Sequence, residues 1–132
     1  MTPARTPLRV VAAGPADVDE VWLRYTTPGL WSGWAPQIRA VEHPPSRIRA
    51  GGRGTVRGPL GLDVPFVVEA VDDQARRWGW CPKIGPVAIR MRHGVDAHPE
   101  GSSAWVEIAA PRLLALSYAP IASLALRRLV AR

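Results

Sequence analysis

A single α+β domain, with a series of short antiparallel strands ahead of one long C-terminal helix, is the fold class this sequence predicts. Three observations carry that expectation. The 132 residues suit one compact domain and are too few for two ordinary ones. Between Gln37 and Ala110 the apolar residues follow a period of two, interrupted by turn residues at short intervals. From Pro111 the pattern changes to an apolar helical stretch that runs through Leu126.

The composition narrows the class further. With 47% hydrophobic and 21% charged residues, the chain has the make-up of a globular domain rather than a disordered one. A domain of this size buries roughly two thirds of its unfolded surface, which is enough core to fold without disulfides or metals. The one cysteine, Cys81, excludes a disulfide scaffold and a multi-cysteine zinc site. Beside Pro82 at a strand end, it reads as a small buried hydrophobe rather than a nucleophile.

The net charge is +6, and sixteen of the seventeen basic residues are arginine. That bias, with plentiful Ala, Gly and Pro, is the mark of a genome rich in G and C, so the basicity reflects codon usage as well as function. The field still favours acidic partners, anionic lipid among them. The basic pairs Arg47/Arg49, Arg76/Arg77, Arg90/Arg92 and Arg127/Arg128 read as solvated faces. Aromatic and basic residues do not interleave on one exposed face, so no nucleic-acid partner is expected. Oligomeric state has no signature in the sequence.

The elements follow in order. Residues 8–13 form a first or edge strand. Gly14-Pro15 opens a helix, with Pro15 at the first helical position and Asp17, Asp19 and Glu20 near the positive end of the helix dipole. Val18, Val21, Trp22 and Tyr25 fall at i, i+3, i+4 and i+7, an apolar stripe, and Thr26-Thr27-Pro28-Gly29 ends it. A short helical turn carries Leu30, Trp31 and Trp34 up to Pro36. Strands are expected near 37–43, 52–58, 64–71, 76–82, 86–94 and 103–110. They are separated at Pro44-Pro45, Gly58-Pro59, Asp72-Asp73, Pro82 through Gly85, and Pro99 through Ser102. Asp96 and His98 fall in a surface hairpin loop.

Pro111 starts the last helix, apolar on most sides and therefore expected to be buried. Pro120 is expected to kink it or split it in two. Its apolar stretch, Leu113 to Leu126, is fourteen residues, short of the about 20 that a membrane span needs. Residues 8–13 are too short for a signal-peptide core. The expectation is a cytoplasmic protein that does not span a membrane.

Charged positions assign the strand faces. Glu69 points outward and puts Val64, Phe66, Val68 and Ala70 inward. Arg77 outward puts Trp78 and Trp80 inward. Arg90 and Arg92 outward put Val87, Ile89, Met91 and His93 inward. In the last strand either Ala104, Val106 and Ile108 face in, or Trp105 and Glu107 do. This aromatic and flexible inner wall suits a solid core or an apolar ligand pocket.

Chemistry-bearing groups are few. His93 shares the inner face with Ile89 and Met91, either as a satisfied core histidine or as an acid/base. A dyad would need Glu107 on the same face. His43, His93 and His98 lack metal-ligand spacing, so no metal or other cofactor is expected. Gly51-Gly52-Arg53-Gly54 lacks the following Lys-Ser/Thr and helix of a phosphate loop, and reads as a turn entering a strand.

The order of elements, together with Ala16-Asp17-Val18-Asp19-Glu20-Val21-Trp22, Leu30 through Ile38, Gly54, Phe66 through Val71, Arg77-Trp78-Gly79-Trp80 and Arg92-His93, resembles the START-like (SRPBCC) superfamily. The likeness is to its bacterial polyketide cyclase/dehydrase and lipid-transport branch and covers nearly the whole chain. It implies the helix-grip (START/Bet v 1-like) fold, a curved antiparallel seven-stranded sheet around the C-terminal helix, with an apolar cavity between. It implies in turn a small hydrophobic ligand, lipid or polyketide-like. On that reading Trp34, Phe66, Val68, Trp78, Trp80, Ile89, Met91 and Leu116 supply apolar area, and His93 and Tyr118 orient the ligand. Two alternatives stand beside this carrier: a cyclase or dehydratase using His93, and a module contacting a partner or, weakly, an anionic membrane through the last helix and its arginines.

Overall fold

The computed structural model describes residues 7–43 and 46–132; the expected Pro44-Pro45 break lies outside the described residues. Strand β1 (Leu8–Gly14) leads into helix α1 (Val18–Thr26). The helix starts later than the position of Pro15 suggested. Its cap is Asp17, in extended conformation, whose carboxylate accepts the Asp19 amide at 3.0 Å and so satisfies a donor that the helix itself leaves open. The expected stripe is present: Val21 and Tyr25 are fully buried, with Val18 and Trp22 packed against the core.

A single 3-10 turn (Pro28–Leu30) and the short helix α2 (Trp31–Trp34) follow. Both α2 tryptophans cap α1. The Trp31 indole donates to the Tyr25 carbonyl at 2.9 Å, and that of Trp34 donates to the Arg24 carbonyl at 3.3 Å. Two carbonyls that α1 leaves without helical partners are thereby satisfied while the rings reach the interior.

The remaining strands are β2 (Ala40–Glu42), β3 (Arg53–Arg57), β4 (Asp63–Asp72), β5 (Arg77–Ile84), β6 (Val87–Ala88), β7 (Arg90–His98) and β8 (Gly101–Ala109). Every pairing is antiparallel. The order across the sheet is β1-β8-β7-β5-β4-β3-β2, with β6 alongside β5. Strands β6 and β7 are one strand in register with β5, as expected for 86–94, but interrupted. Pro82 faces Ile89 across the ladder and accepts the Ile89 amide at 2.9 Å, yet has no N–H to return. The strand also runs further than expected, so Asp96 and His98 are exposed residues of β7, and the hairpin turn is Pro99-Glu100.

The expected inward faces hold for Phe66, Val68, Trp78, Trp80, Ile89, Met91 and His93, all buried. Ala70 is a correction. The β4–β5 register shifts between Val68 and Ala70, so Glu69 is an extra, bulged residue. Beyond the bulge the alternation reverses: Ala70 is exposed and Val71 packs inward.

In β8, Ala104, Val106 and Ile108 face the core, and Trp105 and Glu107 face out. Glu107 meets Arg9 at 3.4 Å. Trp105 is nonetheless buried, because the guanidinium groups of Arg9 and Arg77 lie 4.5 and 5.1 Å from its ring and its indole donates to Asp96 at 3.3 Å. The ring also lies over Gly94, where an added Cβ would come within 2.4 Å of it. Cys81 is half-buried rather than buried.

Helix α3 (Arg112–Leu129) is continuous through Pro120, so the expected split does not occur. Pro120 is exposed, and the carbonyl it leaves unbonded, that of Leu116, belongs to a residue on the solvent side. Nor is α3 buried all round. Ala115, Ala122, Ala125, Leu126 and Leu129 face the sheet, while Leu113 (83% exposed), Leu116, Ile121 and Leu124 line the outer side. Its C-terminus is tied to the β1–α1 corner. The Ala16 amide donates to the Val130 carbonyl at 2.9 Å, and Arg24 donates to the carbonyls of Leu129 and Ala131 at 2.7 and 2.6 Å. The N-terminus, at Pro111, has no side-chain cap.

Candidate functional site

Between the sheet and α3 lie two adjoining chambers. The outer one, about 250 Å³, is walled by apolar side chains from β3, β4, β5, β7, β8 and α3, among them Val56, Val64, Ile84, Ile89, Ile108 and Leu114. Leu62 and Ile121, both exposed, place its mouth at the surface. Gln37, Tyr118 and the indole of Trp80 bring polar side-chain atoms to it.

The inner chamber, about 40 Å³, is lined by Tyr25, Trp31, Trp34, Trp78, His93, Val106, Ala122, Ala125 and Leu126. Gln37, Ile38, Trp80, Met91 and Tyr118 are walls of both chambers. The small side chains of Ala122 and Ala125 leave this space where α3 faces the aromatic wall.

That wall is packed by ring contacts. Trp78 stacks on His93 at 4.0 Å, within 9° of parallel, and Tyr25 meets His93 edge-on at 5.6 Å. Trp31 stacks on Trp78 at 5.7 Å and meets Trp80 edge-on at 5.2 Å. The Trp80 indole points at the Met91 sulfur, 3.2 Å away. Tyr25 anchors the group by donating its hydroxyl to the Trp105 carbonyl at 3.0 Å; burial raises its pKa well above the ordinary tyrosine range.

His93 sits in this wall as a neutral imidazole. Burial lowers its pKa to about 3, with a hydrogen bond to the Trp78 backbone opposing. Tyr118 also titrates above its ordinary value, raised by burial and lowered in part by Gln37, whose amide donates to the phenol oxygen at 2.7 Å.

Six of the sequence-predicted ligand residues, Trp34, Trp78, Trp80, Met91, His93 and Tyr118, meet around the two chambers, and Ile89 joins them in the outer one. Three do not. Leu116 is 46% exposed on the outer side of α3, because the apolar stretch has two faces and only one meets the sheet. Phe66 packs on Trp80 at 5.0 Å and on Trp31 at 5.7 Å. With Val68 it lines a separate hollow of about 240 Å³, bounded also by Ile48, Arg49 and Arg53. Glu107, the weak catalytic candidate, is on the opposite face of the sheet from His93, so the two form no dyad.

Gln37 was not singled out from the sequence. Its one signal was position: a polar residue directly after Pro36, inside the tryptophan-rich segment that closes over the sheet. Among the described residues no group of three His, Cys, Asp or Glu could hold a metal ion, and no helix is long and apolar enough to cross a membrane.

No protein-family profile matches this chain, and no curated protein matches it in sequence. Solved structures do match in shape. MLL2253 from Mesorhizobium loti superposes with a TM-score of 0.78 at 15% identity, covering 96% of this chain and 94% of that one. Ara h 8.0201 does so at 0.70 and 11%, covering 93% of each. DynU16, a protein of the dynemicin biosynthetic locus, gives 0.72 and 18% over 97% of this chain, which spans only 51% of DynU16. Sheet order, gripping helix and these likenesses agree: the chain has the helix-grip fold, a curved antiparallel sheet around a long C-terminal helix.

Proposed function

We propose that this protein binds and carries a small hydrophobic molecule in the chamber between the sheet and α3. The observation that carries the reading is the outer chamber itself, about 250 Å³, apolar on nearly every wall and reaching the surface at Leu62 and Ile121. Its volume falls just below the roughly 300–1,000 Å³ range of ligand pockets. That favours a short chain or one or two rings, such as a polyketide-like fragment, over a diacyl lipid. The place of DynU16 in a biosynthetic locus is in keeping with such a cargo. Catalysis is a weaker reading, because His93 is neutral and buried and, among the described residues, no carboxylate lines either chamber.

Native mass spectrometry of freshly purified protein, with organic extraction, tests the carrier reading. A co-purifying apolar molecule near one per chain supports it. Bare protein that also fails to take up apolar compounds overturns it.

A second reading, peripheral contact of a cytoplasmic protein with an anionic membrane, is favoured by one observation. Leu60 (fully exposed) and Leu113 adjoin the mouth residues Pro59, Leu62 and Leu114, and Arg112 is next to Leu113. Vesicle binding that weakens as salt rises supports it, and no binding at low salt sets it aside.

A further inference from the structure

The inner chamber has an unusual chemical property for so apolar a site. Three buried side-chain atoms on residues lining it have no hydrogen-bond partner among the described residues: Gln37 Oε1, Trp78 Nε1 and His93 Nδ1. A buried polar atom without a partner is costly, and native proteins rarely leave one, let alone three around a single space. The cost disappears when the group that fills the space pairs with them.

The polarity of each atom is fixed by chemistry. An indole nitrogen only donates and an amide oxygen only accepts. A neutral imidazole has one donor and one acceptor nitrogen, so His93 Nδ1 meets either kind of partner according to its tautomer. The Tyr118 oxygen already accepts from Gln37, which leaves its own proton to give. Turning the Gln37 amide over would pair its oxygen with Tyr118 and orphan its NH2 instead, so one of its polar groups is unmatched in either orientation.

The space thus offers both donors and acceptors, contains no cation, and at about 40 Å³ admits a single group of water or hydroxyl size. We infer that the cargo has a neutral head that both donates and accepts a hydrogen bond, an alcohol or phenol, seated among Gln37, Trp78, His93 and Tyr118, with its apolar body in the outer chamber. A carboxylate head would be desolvated with no counter-charge, and a hydrocarbon end would leave all three atoms unpaired. This inference rests on the carrier reading.

Calorimetric titration with naphthol, methylnaphthalene and naphthoate of the same substitution pattern separates the two. The expected result is naphthol binding at least about tenfold tighter than methylnaphthalene, the factor that matches one unpaired buried group, with naphthoate weaker still. In Gln37→Met and in Tyr118→Phe, each first shown to unfold at a temperature close to wild type, the ratio of naphthol to methylnaphthalene affinity should fall toward one. Equal binding of naphthol and methylnaphthalene by the wild type, or a preference for naphthoate, overturns the inference and leaves the carrier reading intact. No binding of any of the three overturns both.

Discussion

Arg24 ties the end of α3 to α1, and Arg24→Met should destabilise the protein by about 2–3 kcal/mol. Its Nη1 donates to the carbonyls of Leu129 and Ala131 at 2.7 and 2.6 Å, and its Nη2 to Glu20 at 2.7 Å. The Leu129 carbonyl ends α3 and that of Ala131 follows two residues later, where helical partners run out and the negative end of the helix dipole lies. Hydrogen bonds from a charged donor contribute about 1.5–3 kcal/mol each, and the lower end applies because Ala131 is exposed and can turn to water. The Glu20 pair, four residues away on one helix, adds only about 0.3–0.5 kcal/mol. Arg24 has 21% of its side chain exposed, so its stem packs, and Met preserves most of that packing. Urea unfolding measures the effect, read as a lower midpoint at unchanged slope. Glu20→Gln is the control and should cost less than about 0.5 kcal/mol. A loss below about 0.5 kcal/mol for Arg24→Met would refute the claim that this clamp holds the helix.

Three further outcomes are expected. The imidazole of His93 has its ordinary pKa of 6.5 when unfolded and about 3 when folded, so between those values the unfolded state binds more protons. Stability should therefore fall as pH drops through that window, by up to about 1.4 kcal/mol per unit, and His93→Gln should remove that component of the acid slope; an unchanged slope would count against a buried neutral ring. In α3, the amides of residues 116–119, beside the Pro120 interruption and nearer the uncapped end, should exchange with solvent at least about tenfold faster than those of residues 124–129. Uniform protection would show that the helix is held equally along its length. Gly94→Ala should cost about 1–3 kcal/mol in the same urea assay, since the new Cβ would lie 2.4 Å from the Trp105 ring; a neutral result would mean that the ring shifts freely.

Periodicity made much of this fold legible. The stripe of Val18, Val21, Trp22 and Tyr25 found its helix, and the outward arginines of β5 and β7 placed Trp78, Trp80, Met91 and His93 on the inner wall. What escaped were features that depend on a single residue breaking a rule. The bulge at Glu69 reverses the alternation from Ala70 on, and nothing in a strand-like sequence marks which residue will be extra. The Pro82 gap divides one strand into β6 and β7. In β8 the charge rule gave two answers, because Trp105 and Glu107 share a face, and the deciding contacts come from Arg9 and Arg77 on other strands. Residue type misled most in α3: its inner side is rich in alanine while Leu113, Leu116 and Leu124 reach outward, so Leu116 was assigned to a site that it does not line. The polar atoms of the inner chamber were only partly legible, since Gln37 joins His93 and Trp78 through a loop whose path no periodicity describes.

Met91 provides the most direct test of the central claim, because it is a wall of both chambers and one of only two methionines in the chain. With carbon-labelled methionine methyl groups, the Met91 signal is assigned by its loss in Met91→Leu. Titration with naphthol should shift the Met91 methyl resonance strongly and saturably, with the midpoint found by calorimetry. Saturable binding that leaves Met91 unchanged would place the ligand outside the chamber and contradict the account.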